Sequence, residues 1–240
     1  MAKTKRRRAG TTARAAGVAN AIGKSKTHIT TAINAFLDPD TSVAALTPLA
    51  KYRRHSHIFE RETHDHYVEP EWCSRRFFEE EVFNKRHTVL DACCGFGRVS
   101  DAAKAAGYTV ESCDVVDRGY AGQSSVQDFL QRETLVAQLV CNPPFTVVPE
   151  FVNQGFALGA AKVAVIFPVA RLNAAHWIRD TPLRRVWLMT PRPSMPPGHV
   201  IARGEKPGGG KVDFAWLVFE RGFDGRPEMD WLRRDRDDSS

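Results

Sequence analysis

Short apolar runs of strand length alternate with helix-length segments from residue 87 to residue 221, and this alternation limits the architectures open to the chain. "HTVLDA" reads as a strand, "GRVSDAAKAAG" as a helix closed by glycine and "TVESCDVV" as a second strand. "SVQDFL" leads into a helix, followed by the strand "LVAQLV", a helix around "PEFVNQGFALGAA" and the strand "KVAVIFP". "RRVWLMT" and "DFAWLVFER" add two late strands across a Pro/Gly-rich connection. Such a series predicts an α/β fold, a doubly wound and mostly parallel sheet with helices on both faces. At 240 residues the chain has room for one such domain, expected over residues 51–223, with an appendage at 1–50 and a charged, frayed tail at 224–240. The longest apolar stretches, "AKVAVIF" and "DFAWLVF", fall far short of a membrane span.

Charge is concentrated at one end. Residues 1–37 hold eight Lys and Arg, among them Arg6, Arg7 and Arg8, and no acid; subtracting them from the net +6 leaves −2 on the rest. A basic arm of this kind suits a phosphate backbone, and it also suits a solvated tail that aids solubility. A transit peptide would be Arg-rich and acid-free too, but "KRRR" and the lack of a long amphipathic face speak against one. Within the arm Ala19, Gly23, Ser25, Ile29 and Ile33 have spacings like those of a helix-turn-helix, although Lys24 stands where an apolar residue usually packs. A short helical pair, or an arm that orders on binding, is the alternative. Asp38 to Ala50 reads as a linker. Five cysteines, two of them adjacent, form no disulfide framework, which suggests a reducing, cytoplasmic compartment.

The residues suited to chemistry fall where strands end. Asp91 closes the first strand and is followed by Cys94, Gly95 and Gly97, with a helix directly after. Glycines there let backbone approach a ligand, and the helix start offers N–H groups to an anion. The spacing is neither the dinucleotide fingerprint nor a phosphate loop. Asp114, at the end of the second strand, stands where an acid reaches ribose hydroxyls, with Asp117 as the alternative holder of that role. Asp128 follows where a third strand should end, and Asn142, Pro143, Pro144 and Phe145 follow the fourth.

Taken together, these residues resemble a class I S-adenosylmethionine-dependent methyltransferase of Rossmann-like fold. "NPPF" resembles the catalytic loop of the amino-methyltransferases, in particular adenine-specific (N6) DNA methyltransferases of the small phage-type or orphan kind. The resemblance runs from about Tyr67 to Arg221 and includes "YVEPEW" and "GGKVDFAWLVFERG". It implies that Asp91, Cys94, Gly95 and Gly97 cradle the methionine end of S-adenosyl-L-methionine. It further implies that Asp114 binds the ribose and Asp128 the cofactor adenine, and that Glu69 and Pro70 close over the methionyl part. Asn142, Pro143, Pro144 and Phe145 would form the target pocket.

The chemistry of the loop explains the residue types. An aromatic amine is a poor nucleophile because its lone pair is delocalised into the ring. An Asn oxygen and a proline carbonyl can accept its two N–H groups and favour a pyramidal nitrogen, so no strong base is needed before transfer. Two prolines stiffen the loop, and in-line transfer needs a near-attack distance of roughly 3–3.5 Å. Phe145 would stack on a base rotated out of the helix. Alone, an Asn-Pro pair is an ordinary turn signal; the glycine loop and the acids at successive strand ends give it meaning.

Other signals point less sharply. His55, His57, His64 and His66 with Glu60, Glu62 and Asp65 could ligate a metal, but regular spacing is missing and no metal is expected. Cys93, Cys94, Cys113 and Cys141 read as small buried apolar residues rather than cluster ligands. Residues 191–211 read as a substrate-facing loop in which Arg192, Arg203, Lys206 and Lys211 touch phosphates. DNA is the expected partner. RNA base amines, a protein glutamine amide and a non-catalytic DNA-binding role are the alternatives. Little chain remains for a separate recognition region, so specificity is expected from the N-terminal segment, the 191–211 loop or a partner, or is low.

Overall fold

The structure is a computed structural model and describes residues 66–205 and 208–236. The basic arm with Arg6, Arg7 and Arg8, the linker, His55, His57, His64 and Lys206 lie outside the described residues. Eight strands form one sheet: β1 (Val89–Asp91), β2 (Val110–Asp114), β3 (Ser125–Val126), β4 (Gln138–Cys141), β5 (Lys162–Pro168), β6 (Leu183–Thr190), β7 (Phe214–Glu220) and β8 (Glu228–Arg233). Their order is β3-β2-β1-β4-β5-β7-β6-β8. The first five run parallel, β7 is antiparallel to both β5 and β6, and β8 is parallel to β6. Because β7 reverses between two strands of the same sense, β6 and β8 end at the same sheet edge as β1, β2 and β4. That edge gathers the strand-end residues.

The described residues form four α-helices: α1 (Glu71–Glu80), α2 (Arg98–Ala105), α3 (Val148–Ala157) and α4 (Gly198–Ala202). Strand residues alternate between two cores. Val140, Ala164, Ile166, Trp216 and Val218 face α1 and α2, whereas Leu139, Cys141, Val163, Val165 and Leu217 face α3. Both faces of the central strands are therefore buried, which is why these strands read as continuous apolar runs. Trp216 is wholly buried, stacks on Phe77 of α1 at 4.3 Å between ring centres and donates its indole N–H to the Cys73 carbonyl at 3.2 Å. In α3, Gly155 permits close packing, since a Cβ there would lie 2.9 Å from Val163. At the other sheet edge buried Glu81 receives Lys162 Nζ at 2.8 Å, Arg185 at 3.1 Å and the Trp187 indole at 2.9 Å, fastening β5 and β6 to the end of α1.

Three expectations need correction. Helix α1 was not anticipated, although Pro70 opens it and Trp72, Cys73, Phe77 and Phe78 form its buried stripe. The segment after β3 makes only a 3-10 turn, Phe129–Gln131, in place of a helix. The expected tail contains β8, held by six residue pairs to β6 and by Leu232, which is wholly buried against the α1 side. One inward side chain in six leaves little apolar signal, and cross-strand hydrogen bonds supply the rest. Among the described residues no helix is long and apolar enough to cross a membrane.

Leu232→Ala should cost about 2–5 kcal/mol in urea unfolding; a loss under about 0.5 kcal/mol would mean that β8 is not packed on the domain.

Candidate active site

Three buried carboxylates converge at the edge where β1 and β2 end. Asp91 is fully buried, and Glu69 and Asp114 are 5% and 6% exposed. Asp91 accepts a hydrogen bond from Ser100 of α2 at 2.6 Å, and the Ser100 hydroxyl lies 2.8 Å from that of Ser112 on β2. Asp114 accepts the backbone N–H of Gly95 at 3.0 Å and of Val116 at 3.1 Å, which ties β2 to the glycine loop. Each carboxylate oxygen keeps a further acceptor position. Burial pushes the Asp91 carboxyl up from 3.8 to about 7; the Ser100 hydrogen bond opposes this and the nearby Glu69 and Asp114 charges reinforce it. Burial likewise raises Glu69, against its own backbone contact and the hydrogen bonds from Asn142 and Ser74. Such a trio favours a cation in its midst.

Asn142 leaves the end of β4 half-buried, and its side-chain Nδ2 donates to the Tyr67 carbonyl and to Glu69 Oε2, each at 2.8 Å. Both partners are acceptors, so chemistry decides which end of the amide turns toward them. No described residue donates to its side-chain oxygen. Ser74 donates to the other Glu69 oxygen at 3.3 Å, so α1 steadies the carboxylate that steadies Asn142. The Pro144 carbonyl is taken by the Val147 N–H at 3.0 Å, whereas no described backbone group donates to the Pro143 carbonyl. Two acceptors therefore stand adjacent and unspent. Phe145 is half-buried, parallel to Tyr67 at 6.2 Å and tilted against Phe214 at 5.5 Å.

The glycine loop makes a tight turn. Gly97 has φ 86° and precedes α2, whose first N–H groups have no side-chain cap. A Cβ on Gly97 would lie 2.2 Å from the Tyr120 ring, and one on Gly95 would lie 2.6 Å from His66. His66 also packs edge-on to Phe96 at 5.1 Å. S-adenosylmethionine is a cation with hydroxyl and amine donors, and the buried acceptors Glu69, Asp91 and Asp114 fit that donor set. Cys94 is buried and its thiol is pushed well up by burial; Cys113, also buried, is pushed up to about 12 by the same cause. Neither thiol is poised to react. Among the described residues no group of three His, Cys, Asp or Glu could hold a metal ion.

Of the residues expected from the sequence, Asn142 bonds to Glu69 and Gly95 to Asp114, and both acids lie near Asp91, while Asp128 shares no hydrogen bond with them. Asp128 is exposed and caps the 3-10 turn by accepting from Leu130 N at 2.9 Å. Asp117 is exposed and accepts from Gly119 N at 2.8 Å, which makes it a turn residue. Pro70 opens α1 and makes no described contact with Asn142. In the 191–211 segment Arg192 pairs with Asp213 at 2.7 Å, Arg203 lies 3.8 Å from Glu205, and Lys211 is exposed. That segment is not a bare loop. It contains α4, and it docks on the site's other half through Val68 N to Pro196 O and Gly198 N to His66 O, both 2.9 Å. Sequence reasoning missed Tyr67, Ser74, Ser100 and Ser112. Ser100 alone left a trace, as a polar residue in the buried stripe of Val99 and Ala103.

No protein-family model matches the sequence, and no curated protein matches it. Solved structures resemble it in fold. A type I restriction-modification methyltransferase subunit from Streptococcus thermophilus aligns with a TM-score of 0.47 at 12% identity, over 67% of this chain and 45% of that one. The chain thus spans under half the length of that subunit. A 23S rRNA methyltransferase aligns with a TM-score of 0.43 at 16% identity, over 62% of this chain and 67% of that one. Magnesium protoporphyrin IX methyltransferase from Synechocystis, solved with S-adenosylmethionine bound, aligns with a TM-score of 0.40 at 16% identity, over 57% and 70% of the two chains.

A carboxyl whose folded pKa lies above its unfolded value favours the folded state while protonated. For Asp91 that contribution is full below about 3.8, fades as pH rises and is gone above about 7. Asp91→Asn should remove this share of the pH dependence, so its Tm measured against pH should fall less than the wild-type Tm from about pH 4 to about pH 7. Parallel curves would remove Asp91 as the titrating group.

Proposed function

We propose that the protein transfers a methyl group from S-adenosylmethionine to the exocyclic amine of adenine in DNA. The observation that carries this reading is the Asn142 side chain, whose two N–H donors are held by Tyr67 and Glu69 so that its oxygen is left as an acceptor beside the Pro143 carbonyl. When bound, S-adenosylmethionine supplies an electrophilic methyl group on a sulfonium cation. Asp91 and Glu69 offset that positive charge and accept from the amino group, Asp114 accepts from the ribose hydroxyls, and Gly95 and Gly97 keep the loop close to the cofactor. Asp128, two residues past β3, would accept from the cofactor adenine's amino group.

Asn142 and Pro143 each accept one N–H of the target amine. These two bonds draw the nitrogen lone pair out of conjugation and aim it. The stiff Pro-Pro backbone holds both acceptors in place without reorganisation, which is the electrostatic share of the catalysis. Phe145, backed by Tyr67 and Phe214, offers a ring edge and face to the base. Base-amine geometry and the basic arm favour nucleic acid over a protein amide, and the DNA reading follows from the adenine-type loop.

Incubation with labelled S-adenosylmethionine and unmethylated DNA, with RNA and protein extracts alongside, should place the label in methyladenine from DNA. Label confined to RNA or protein would keep the mechanism and reassign the acceptor. Asn142→Ala should lower kcat by about 100-fold or more while cofactor affinity stays within about threefold. Glu69→Ala should also lower kcat, and Glu69→Gln, which can still accept from Asn142, should restore much of it. Equal losses in the two Glu69 variants would remove Glu69 as the residue that orients Asn142.

A further inference from the structure

The sheet ends on β8, and among the described residues one face of that end is uncovered. Parallel register sets Val186 beside Met229, Leu188 beside Trp231 and Thr190 beside Arg233. Leu232 points to the α1 side, so its alternating neighbours face the other way. Met229 is 61% and Trp231 50% exposed. A groove of about 490 Å³ opens there, lined by Thr190, Pro191, Trp231, Arg233 and Arg234. Its volume is within the range of small-ligand sites.

Charge in this groove is uncommitted. The neighbouring arginines are occupied: Arg75 and Arg76 with Glu79, Glu80 and Asp235, Arg184 and Arg185 with Glu228, and Arg192 with Asp213. Arg233, which alternation sets on the Trp231 face, enters no ion pair among the described residues, whereas Arg234 follows Leu232 to the α1 side, where its charge reaches Cys73. An exposed indole beside an uncommitted guanidinium group matches an unpaired nucleotide, with a flat base to stack and a phosphate to neutralise. Thr190 and Arg233 end β6 and β8, so the groove opens at the sheet edge from which Asn142 emerges.

The geometry points to a second contact for the substrate strand, in which an unpaired base of DNA stacks on Trp231 while Arg233 takes its phosphate. This contact rests on the DNA reading above. Four strand spacings separate β4 from β8, about 19 Å at ~4.8 Å each. The bound base therefore lies on the order of five or six nucleotides from the target adenine at a rise of ~3.4 Å. A strand held at both places is fixed in direction as well as position, which a single pocket cannot achieve.

The test is binding of a fluorescein-labelled single-stranded oligodeoxynucleotide to the full chain, without S-adenosylmethionine. Trp231→Ala should weaken binding about tenfold or more, and Trp231→Phe should restore most of it. Arg233→Gln should reduce the slope of log affinity against log salt by roughly 0.7, the share of one phosphate. Unchanged affinity, a loss that phenylalanine does not restore, an unaltered slope or tighter binding of RNA of the same sequence would each overturn the proposal. Binding and turnover are read separately. A protein that transfers no methyl group yet loses DNA affinity on Trp231→Ala keeps the groove and loses the activity, whereas methylated DNA with unaltered affinity does the reverse.

Discussion

Asn142 gives both its amide N–H groups to acceptors outside its own loop, and the rest of the site depends on that constraint. A free asparagine side chain can present either end to a ligand. Here the Tyr67 carbonyl and Glu69 remove the choice, because neither can be satisfied by the amide oxygen. The acceptors belong to residues 67–69, which are themselves held by the segment before α4 through Val68 N to Pro196 O and Gly198 N to His66 O. Ser74 on α1 holds the far oxygen of Glu69. A two-atom preference at the end of β4 thus draws on α1, the residues before it and a loop more than a hundred residues later in the chain.

The same Glu69 joins Asn142 to the carboxylates at the ends of β1 and β2. Three acids buried together repel one another and are costly in their charged form, so in the unliganded protein Asp91 keeps its proton until about neutral pH. A cation brought among them removes both costs at once. On the proposed reading, cofactor affinity and the orientation of Asn142 would be linked through one side chain, since a change in the charge of Glu69 alters its bond to the amide.

How much of this was legible in the sequence follows from what each signal is made of. The strand and helix alternation was readable because both faces of β4, β5 and β7 are buried, and continuous apolar runs survive in any context. The positions of Asn142, Asp91 and Asp114 were readable because strand ends are predictable places. Helix α1 was hidden by five charged residues around a narrow aromatic stripe, in a segment that reads as an approach to the first strand. Strand β8 was hidden because a single buried leucine secures it, with exposed Met229 and Trp231 on the reverse face. The partners of Asn142 were out of reach altogether: a backbone carbonyl has no residue type, and Glu69 gains its second role only through a contact 73 residues away.

The glycines show why a readable position can still have an unreadable cause. Gly95 and Gly97 were expected for close approach to a ligand, and both have positive φ, at 50° and 86°. The structure adds a second demand, since His66 and Tyr120 lie where a Cβ would project. Tyr120 is in turn tied to α2, donating to Asp101 and accepting from Lys104 at 2.9 Å. A side chain at residue 97 would therefore have to displace a ring anchored on the very helix that the loop begins. The loop has to be bare for the protein's own packing as well as for a ligand, so retention of these glycines alone would not identify cofactor binding. The distinguishing feature is the set of buried acceptors beneath them, which the packing of the rings does not require.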